Sequence, residues 1–196
     1  NGLMKTECTA GQLEFHGLGR RAVVGEFNGG KISSDSGGLL LREVEQRTHI
    51  LKRLAGCFVD YRDPDQIEHT VESLIKQRVM GLALGYEDLN DHQALRHDLA
   101  LQTAVERDTL LASASTLCRW ENRADRSAAW QLHEVLVEQF IASYRRAPKR
   151  LILDFDATDD AVHGQQVGRF FHGYYDHYCF LPLYVFCGKQ LLVSYL

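Results

Sequence analysis

Residues 151–160 read Leu-Ile-Leu-Asp-Phe-Asp-Ala-Thr-Asp-Asp, an apolar run that delivers carboxylates at its C-terminal end. Leu151, Ile152 and Leu153 predict a strand covered on both faces, because short aliphatic blocks suit that environment. Side chains alternate along a strand, so Asp154 and Asp156 point to one side and Leu153 and Phe155 to the other. Two neighbouring acids repel each other and are costly to bury unless a cation lies between them. A divalent ion such as Mg²⁺ meets that need, since it favours carboxylate oxygens. The plainer alternative is a strand running into a solvated acidic turn, and Asp159 and Asp160 read as residues that cap that turn.

Other residue types with chemical potential are less organised. The cysteines (Cys8, Cys57, Cys118, Cys179 and Cys187) are odd in number and never occur as Cys-x-x-Cys. They support neither a zinc knuckle nor a disulfide framework and read as small buried hydrophobes. His92 and His97 are five apart, as are His172 and His177, which is not the spacing that sets two ligands on one helix face. A dedicated histidine metal site is not expected, although His163 and His172 are accessory candidates for positioning a phosphate or water near the acids. Gly17, Gly19, Gly29 and Gly30 precede no Gly-Lys-Ser/Thr, so they form no phosphate loop. The run Phe170-Phe-His-Gly-Tyr-Tyr-Asp-His-Tyr178 either stacks bases or forms the packed side of a sheet.

The elements that must position these residues divide the chain. Ala22-Val-Val-Gly-Glu-Phe27, Asn28-Gly-Gly30 and residues 31–33 predict a β-hairpin. Ser34-Asp35 can cap a helix carrying Leu39, Leu40, Leu41, Val44, Ile50 and Leu51. Asp63-Pro64 opens a second helix, expected from Asp65 to about Leu84 and ended by Gly85. Residues 88–102 predict a shorter helix plus a connection, and residues 113–122 a short helix with Ser115 or Thr116 at its start. A long helix follows over residues 126–144, with a basic end at Arg145, Arg146, Lys149 and Arg150. Strands are expected at 150–156, 179–186 and 190–196. Helices followed by strands predict an α+β fold in two structural units. The division is 1–33 for the tail and hairpin, 34–147 for the helical region, and 148–196 for the strands.

Composition narrows the setting. At 196 residues and 45% hydrophobic, the chain can build one good core or two small ones. A net charge of -4 gives no overall basic field, but nucleic-acid binding needs only a local basic face. No apolar stretch is long enough to span a membrane, and no secretory pattern opens the chain. Asn1-Gly-Leu ahead of Met4 reads as upstream translation or a cloning remnant, and a cytoplasmic protein is the simplest expectation. The last strand ends without a turn, which would leave an unpaired apolar edge and predicts a fragment of a longer protein.

In order and number, several segments resemble the DDE insertion-sequence transposases, specifically the thirteen-eighty insertion-sequence group. They are Phe27-Asn-Gly-Gly30 with Ser33-Ser-Asp-Ser-Gly-Gly-Leu-Leu-Leu41, Asp60-Tyr-Arg-Asp-Pro64, and Gly85-Tyr-Glu-Asp-Leu-Asn-Asp-His92 with Leu95-Arg-His-Asp98. Ser115-Thr-Leu-Cys-Arg-Trp-Glu-Asn122 and Leu153-Asp-Phe-Asp-Ala-Thr-Asp-Asp160 continue the series, followed by His163-Gly-Gln-Gln166, residues 168–178 and Leu181-Pro-Leu-Tyr184. The resemblance implies a bacterial-type cut-and-paste transposase whose helical region binds double-stranded DNA at the terminal repeats. It implies a ribonuclease-H-like domain in which three acids hold two Mg²⁺ (or Mn²⁺) ions. Asp156 would be the first catalytic acid and a metal ligand, and the three predicted strands an antiparallel sheet; Asp154 reads as a neighbour that tunes the site, as a second metal-ligand candidate, or as a residue that packs structurally. A homodimer acting on paired ends is implied as well. The family's second aspartate and its glutamate belong to later segments that this sequence lacks, so the chain alone is expected to be inactive.

Two alternatives stay open from the residues. Asp154-Phe-Asp156-Ala-Thr158 also resembles motif one of the haloacid-dehalogenase phosphatases, with Asp154 as nucleophile and Asp156 as general acid/base in a parallel sheet. A non-catalytic DNA-binding or regulatory protein would use residues 115–121 as a recognition helix. Arg119 and Arg123 would then face DNA, and Ser115 or Thr116 would touch phosphate. The same helix is equally well explained as a capped surface helix anchored by Trp120.

Overall fold

A computed structural model of the chain describes residues 13–26 and 35–196. It has an α+β fold, and its contacts divide into compact units at 1–124 and 125–196. The long helix expected to close the helical region thus groups with the strands.

In the first unit, strand β1 (Leu13–Leu18) pairs antiparallel with β2 (Arg21–Gly25). Gly19, at φ 55°, makes the turn between them, a conformation that glycine adopts without strain. The strand predicted at 22–27 is therefore found, but its described partner precedes it. The Asn28-Gly-Gly30 turn, residues 31–33 and the Ser34 cap lie outside the described residues.

Helix α1 (Gly37–Thr48) follows, and α2 (Ile50–Ala55) begins after a break at His49, φ 51°. One continuous apolar helix was the expectation; two features of the packing differ from it. Leu40 and Val44 are exposed, whereas Arg42 and Glu45 are buried. The burial is explained by what the two charges satisfy. Arg42 donates to the carbonyls of His16 and Gly17 on β1. Glu45 accepts the N–H groups of Leu51 (2.8 Å) and Lys52 (3.1 Å), which are orphan donors in the first turn of α2. Tertiary hydrogen bonding has overridden periodicity here.

Asp63-Pro64 opens only a single 3-10 turn, Pro64–Gln66. The helix proper, α3 (Val71–Ala83), starts six residues later than expected, at a cap in which Thr70 Oγ1 accepts from Ser73 N at 3.2 Å. A 3-10 turn (Leu89–Asp91), α4 (His92–Leu95) and α5 (Leu99–Ala104) follow. Met80, Leu101, Ala104 and Leu111 share the main buried cluster of this unit, and Leu74 packs with Ala112 and Leu117 in a second. Helix α6 (Ala114–Glu121) closes it, anchored by fully buried Leu117 and by Trp120, whose ring lies 5.3 Å from that of Phe58.

In the second unit, Asp125 caps α7 (Arg126–Ala142) by accepting from Ala128 N at 2.8 Å. The strands β3 (Asp154–Ala157), β7 (Leu183–Cys187) and β8 (Gln190–Tyr195) form one antiparallel sheet in the order β3-β7-β8. A second sheet has the order β4-β6-β5, from Asp160–Ala161, His177–Phe180 and Phe170–His172. Two expectations are corrected. Leu151, Ile152 and Leu153 precede the strand and are exposed, and residues 179–186 split at Leu181-Pro182 between the two sheets. Proline has no N–H to give a ladder; the Pro182 carbonyl instead accepts from Thr158 N at 3.1 Å. The antiparallel pairing also removes the haloacid-dehalogenase alternative, which needs a parallel sheet.

Candidate functional site

β3 pairs with β7 in the register Asp154↔Phe186, Phe155↔Val185, Asp156↔Tyr184 and Ala157↔Leu183. Paired residues share a face, so Asp154, Asp156, Tyr184 and Phe186 occupy one side while Phe155 and Val185 occupy the other. Both acids are exposed. Their carboxylates stay hydrated, so no desolvation penalty forces them to find a buried cation. As hard oxygen donors on one face of a strand, they could hold a Mg²⁺-class ion.

Three residues beyond Asp156, the chain builds a second, softer cluster. Asp159 Oδ2 lies 2.9 Å from His177 Nε2, and His177 Nδ1 lies 2.9 Å from the Tyr175 carbonyl. A carbonyl oxygen only accepts, so Nδ1 carries the hydrogen and Nε2 is the atom turned toward Asp159. Cys179 completes a trio whose donor atoms all lie within 4.8 Å of one another. Cys179 is fully buried, and Asp159 Oδ1 is buried without a hydrogen-bond partner. Burial, and then the Asp159 carboxylate beside it, pushes the Cys179 thiol above its ordinary range. Sequence reasoning misses this trio. It assigns Asp159 to a turn and Cys179 to the core, and it tests the histidines against helical spacing alone. The usable signal is His177-x-Cys179, since residues two apart on a strand share a face.

The accessory candidates separate. His163 is exposed in a loop. His172 is the cross-strand partner of His177, but its ring packs 4.8 Å from Tyr175, and its Nδ1 is buried without a partner. The aromatic run forms the β5–β6 hairpin, where Phe171, Tyr174, Tyr175 and Tyr178 are exposed and the Arg169 guanidinium sits 4.3 Å from the Tyr178 ring centroid.

On α6 the cap is Ser113, whose Oγ accepts from Thr116 N at 3.3 Å; the expected start at Ser115 or Thr116 is corrected by two or three residues. Thr116 is half-buried and receives Arg119 Nη2 at 3.2 Å. Ser115, Arg119 and Asn122 form an exposed face opposite Leu117, with exposed Arg123 just beyond the helix. Arg145, Arg146, Lys149 and Arg150 are exposed after α7. No described helix is long and apolar enough to cross a membrane.

A family model described as "Transposase DDE domain group 1" matches residues 15–196. No curated protein and no solved structure matches the chain.

Proposed function

We propose, from the premise that the chain belongs to the DDE transposase family, that Asp156 is the first catalytic acid in the cutting and rejoining of transposon-end phosphodiesters. The observation that carries this reading is the placement of Asp156 and Asp154 on one exposed face of an antiparallel β3-β7-β8 sheet, the strand order with which a ribonuclease-H-like domain opens. DDE transposases use divalent metals; here Asp156, with Asp154 beside it, would hold Mg²⁺ (or Mn²⁺). Such a pair of ions supplies activation of the attacking oxygen and stabilisation of the leaving oxygen in an in-line displacement. The chain's own contribution is positional. Backbone pairing to Tyr184 fixes the position of Asp156 on the strand, and its exposure would admit the scissile phosphate without a burial cost.

The helical region, residues 34–147 in the sequence's division, would engage the terminal repeats as double-stranded DNA. The exposed Ser115 and Arg119 on α6 and Arg123 just beyond it would do so, with Thr116 holding the Arg119 head in place. The basic run after α7 would add phosphate contacts. The reading extends to a cytoplasmic, bacterial-type protein of the thirteen-eighty group that pairs ends as a homodimer. Because these residues supply one acidic strand for a two-ion site, the 196-residue chain by itself is expected not to cleave.

Asp156→Asn in the transposase carrying this sequence tests the assignment. Excision should fall by at least about 100-fold while binding of end DNA persists, since a transition-state contact is lost and not a ground-state one. Excision at the unmutated rate would reject Asp156 as a catalytic acid. Metal-dependent cleavage by the 196-residue chain would reject the claim that it is inactive alone.

A further inference from the structure

We propose that Asp159, His177 and Cys179 form a transition-metal site of the zinc class, separate from the Mg²⁺-class acids on β3, that ties the segment after β3 to strand β6. Three observations carry it independently of the function proposed above. The donor atoms converge within 4.8 Å without a helix or a Cys-x-x-Cys motif to bring them together. The donor set of thiolate, imidazole and carboxylate is the borderline-soft combination that zinc takes and Mg²⁺ avoids. The outer shell is also in place. Tyr175 carbonyl accepts from His177 Nδ1 at 2.9 Å, the arrangement that fixes a ligating histidine with Nε2 free for the metal.

A cation would also satisfy the one polar atom that the trio leaves open. Asp159 Oδ1 is buried without a hydrogen-bond partner, and Asp159 Oδ2 lies 2.9 Å from His177 Nε2, an approach that a proton on Nε2 or a metal ion between the two atoms satisfies. Ligand bonds of about 2.0–2.3 Å in a tetrahedron set neighbouring nitrogen and oxygen donors about 3.3 Å apart. The observed 2.9 Å separation therefore needs to open by only a few tenths of an ångström. His177 and Cys179 sit two apart on β6, and Asp159 immediately precedes β4, which pairs with β6 through Asp160↔Phe180 and Ala161↔Cys179. The ion would thus pin the backbone three residues downstream of Asp156. Three protein ligands leave a fourth position for water. The half-exposed His177 ring gives an entry path to the otherwise buried thiol.

Metal titration of the chelator-treated 196-residue chain tests the site, with Co²⁺ as the spectroscopic probe. The expected result is one equivalent bound with a thiolate-to-cobalt charge-transfer band, displaced by Zn²⁺ and not by excess Mg²⁺. Cys179→Ser should abolish the band. Because Cys179 is buried and that variant can lose its fold, Asp159→Asn provides the second arm. It should weaken Zn²⁺ binding by more than about 100-fold, a larger loss than outer-shell changes give. Asp156→Asn should leave the band and the affinity unchanged, so failure of this site and failure of the catalytic assignment remain distinguishable. Absence of the band, its loss with exposed Cys118→Ser in place of Cys179→Ser, or unaltered affinity in Asp159→Asn would each overturn the proposal.

Discussion

Gly81 and His92 show how closely single residues of the first unit depend on each other. A Cβ at Gly81 would sit 2.7 Å from His92 Cε1, and the ring has no space to retreat because His92 is fully buried. Gly81→Ala should therefore destabilise the unit by about 1–3 kcal/mol in urea unfolding, although alanine is otherwise the better helix former. His92 also makes stability depend on pH. Burial is the main reason its folded pKa lies below the ordinary 6.5, with the Arg78 charge adding to it. The unfolded chain therefore binds a proton that the folded chain refuses. Stability is full above pH 6.5 and falls as pH drops below it, by at most about 1.4 kcal/mol per pH unit for this residue. Urea unfolding at pH 7 and pH 5 should show that fall, and His92→Gln should reduce it. A remainder will persist from His69, which burial shifts in the same direction. Neither effect is legible in the sequence, where Gly81 and His92 are eleven residues apart and belong to separate elements.

Among the elements, the α1–α2 junction is where sequence periodicity and structure part. Leu39, Leu40, Leu41, Val44, Ile50 and Leu51 suggest one apolar stripe, yet Leu40 and Val44 face water. Glu45 decides the matter by capping α2 from the preceding helix. Glu45→Ala should cost about 1–3 kcal/mol by leaving the buried Leu51 N–H and the part-buried Lys52 N–H without this acceptor, and a chemical-denaturation midpoint would report it. Glu45→Gln should cost less, since one amide oxygen can still accept; equal losses for the two variants would show that packing, and not capping, is the role of this side chain. The starts of α3 at Thr70 and α6 at Ser113 carry the same lesson. Several residues in each segment have capping side chains, and the one used is the one that lets Leu74 of α3 and Leu117 of α6 meet in a shared buried cluster.

At the scale of the molecule, a chain of net charge -4 must bind DNA through local basic faces, if it binds as proposed. Affinity for end DNA should then fall steeply with salt, with a log–log slope of about -0.9 per phosphate contact. Arg119→Ala with Arg123→Ala should weaken binding and reduce that slope by about 1–2; an unchanged slope in a titration from low to moderate salt would remove α6 from the interface. By itself the sequence determined the α+β class, the family, the antiparallel strands around residues 154–157 and 183–195, and the shared face of Asp154 and Asp156. Those features follow from local alternation and from an ordered series of motifs, both of which are written along the chain. The tertiary structure alone decided that Arg42 and Glu45 are buried, that residues 179–186 serve two sheets, that α7 groups with the strands, and that Asp159, His177 and Cys179 converge. Each of those depends on hydrogen bonds or strand pairing between residues distant in sequence, and periodicity carries no record of which distant partner will satisfy a given polar group.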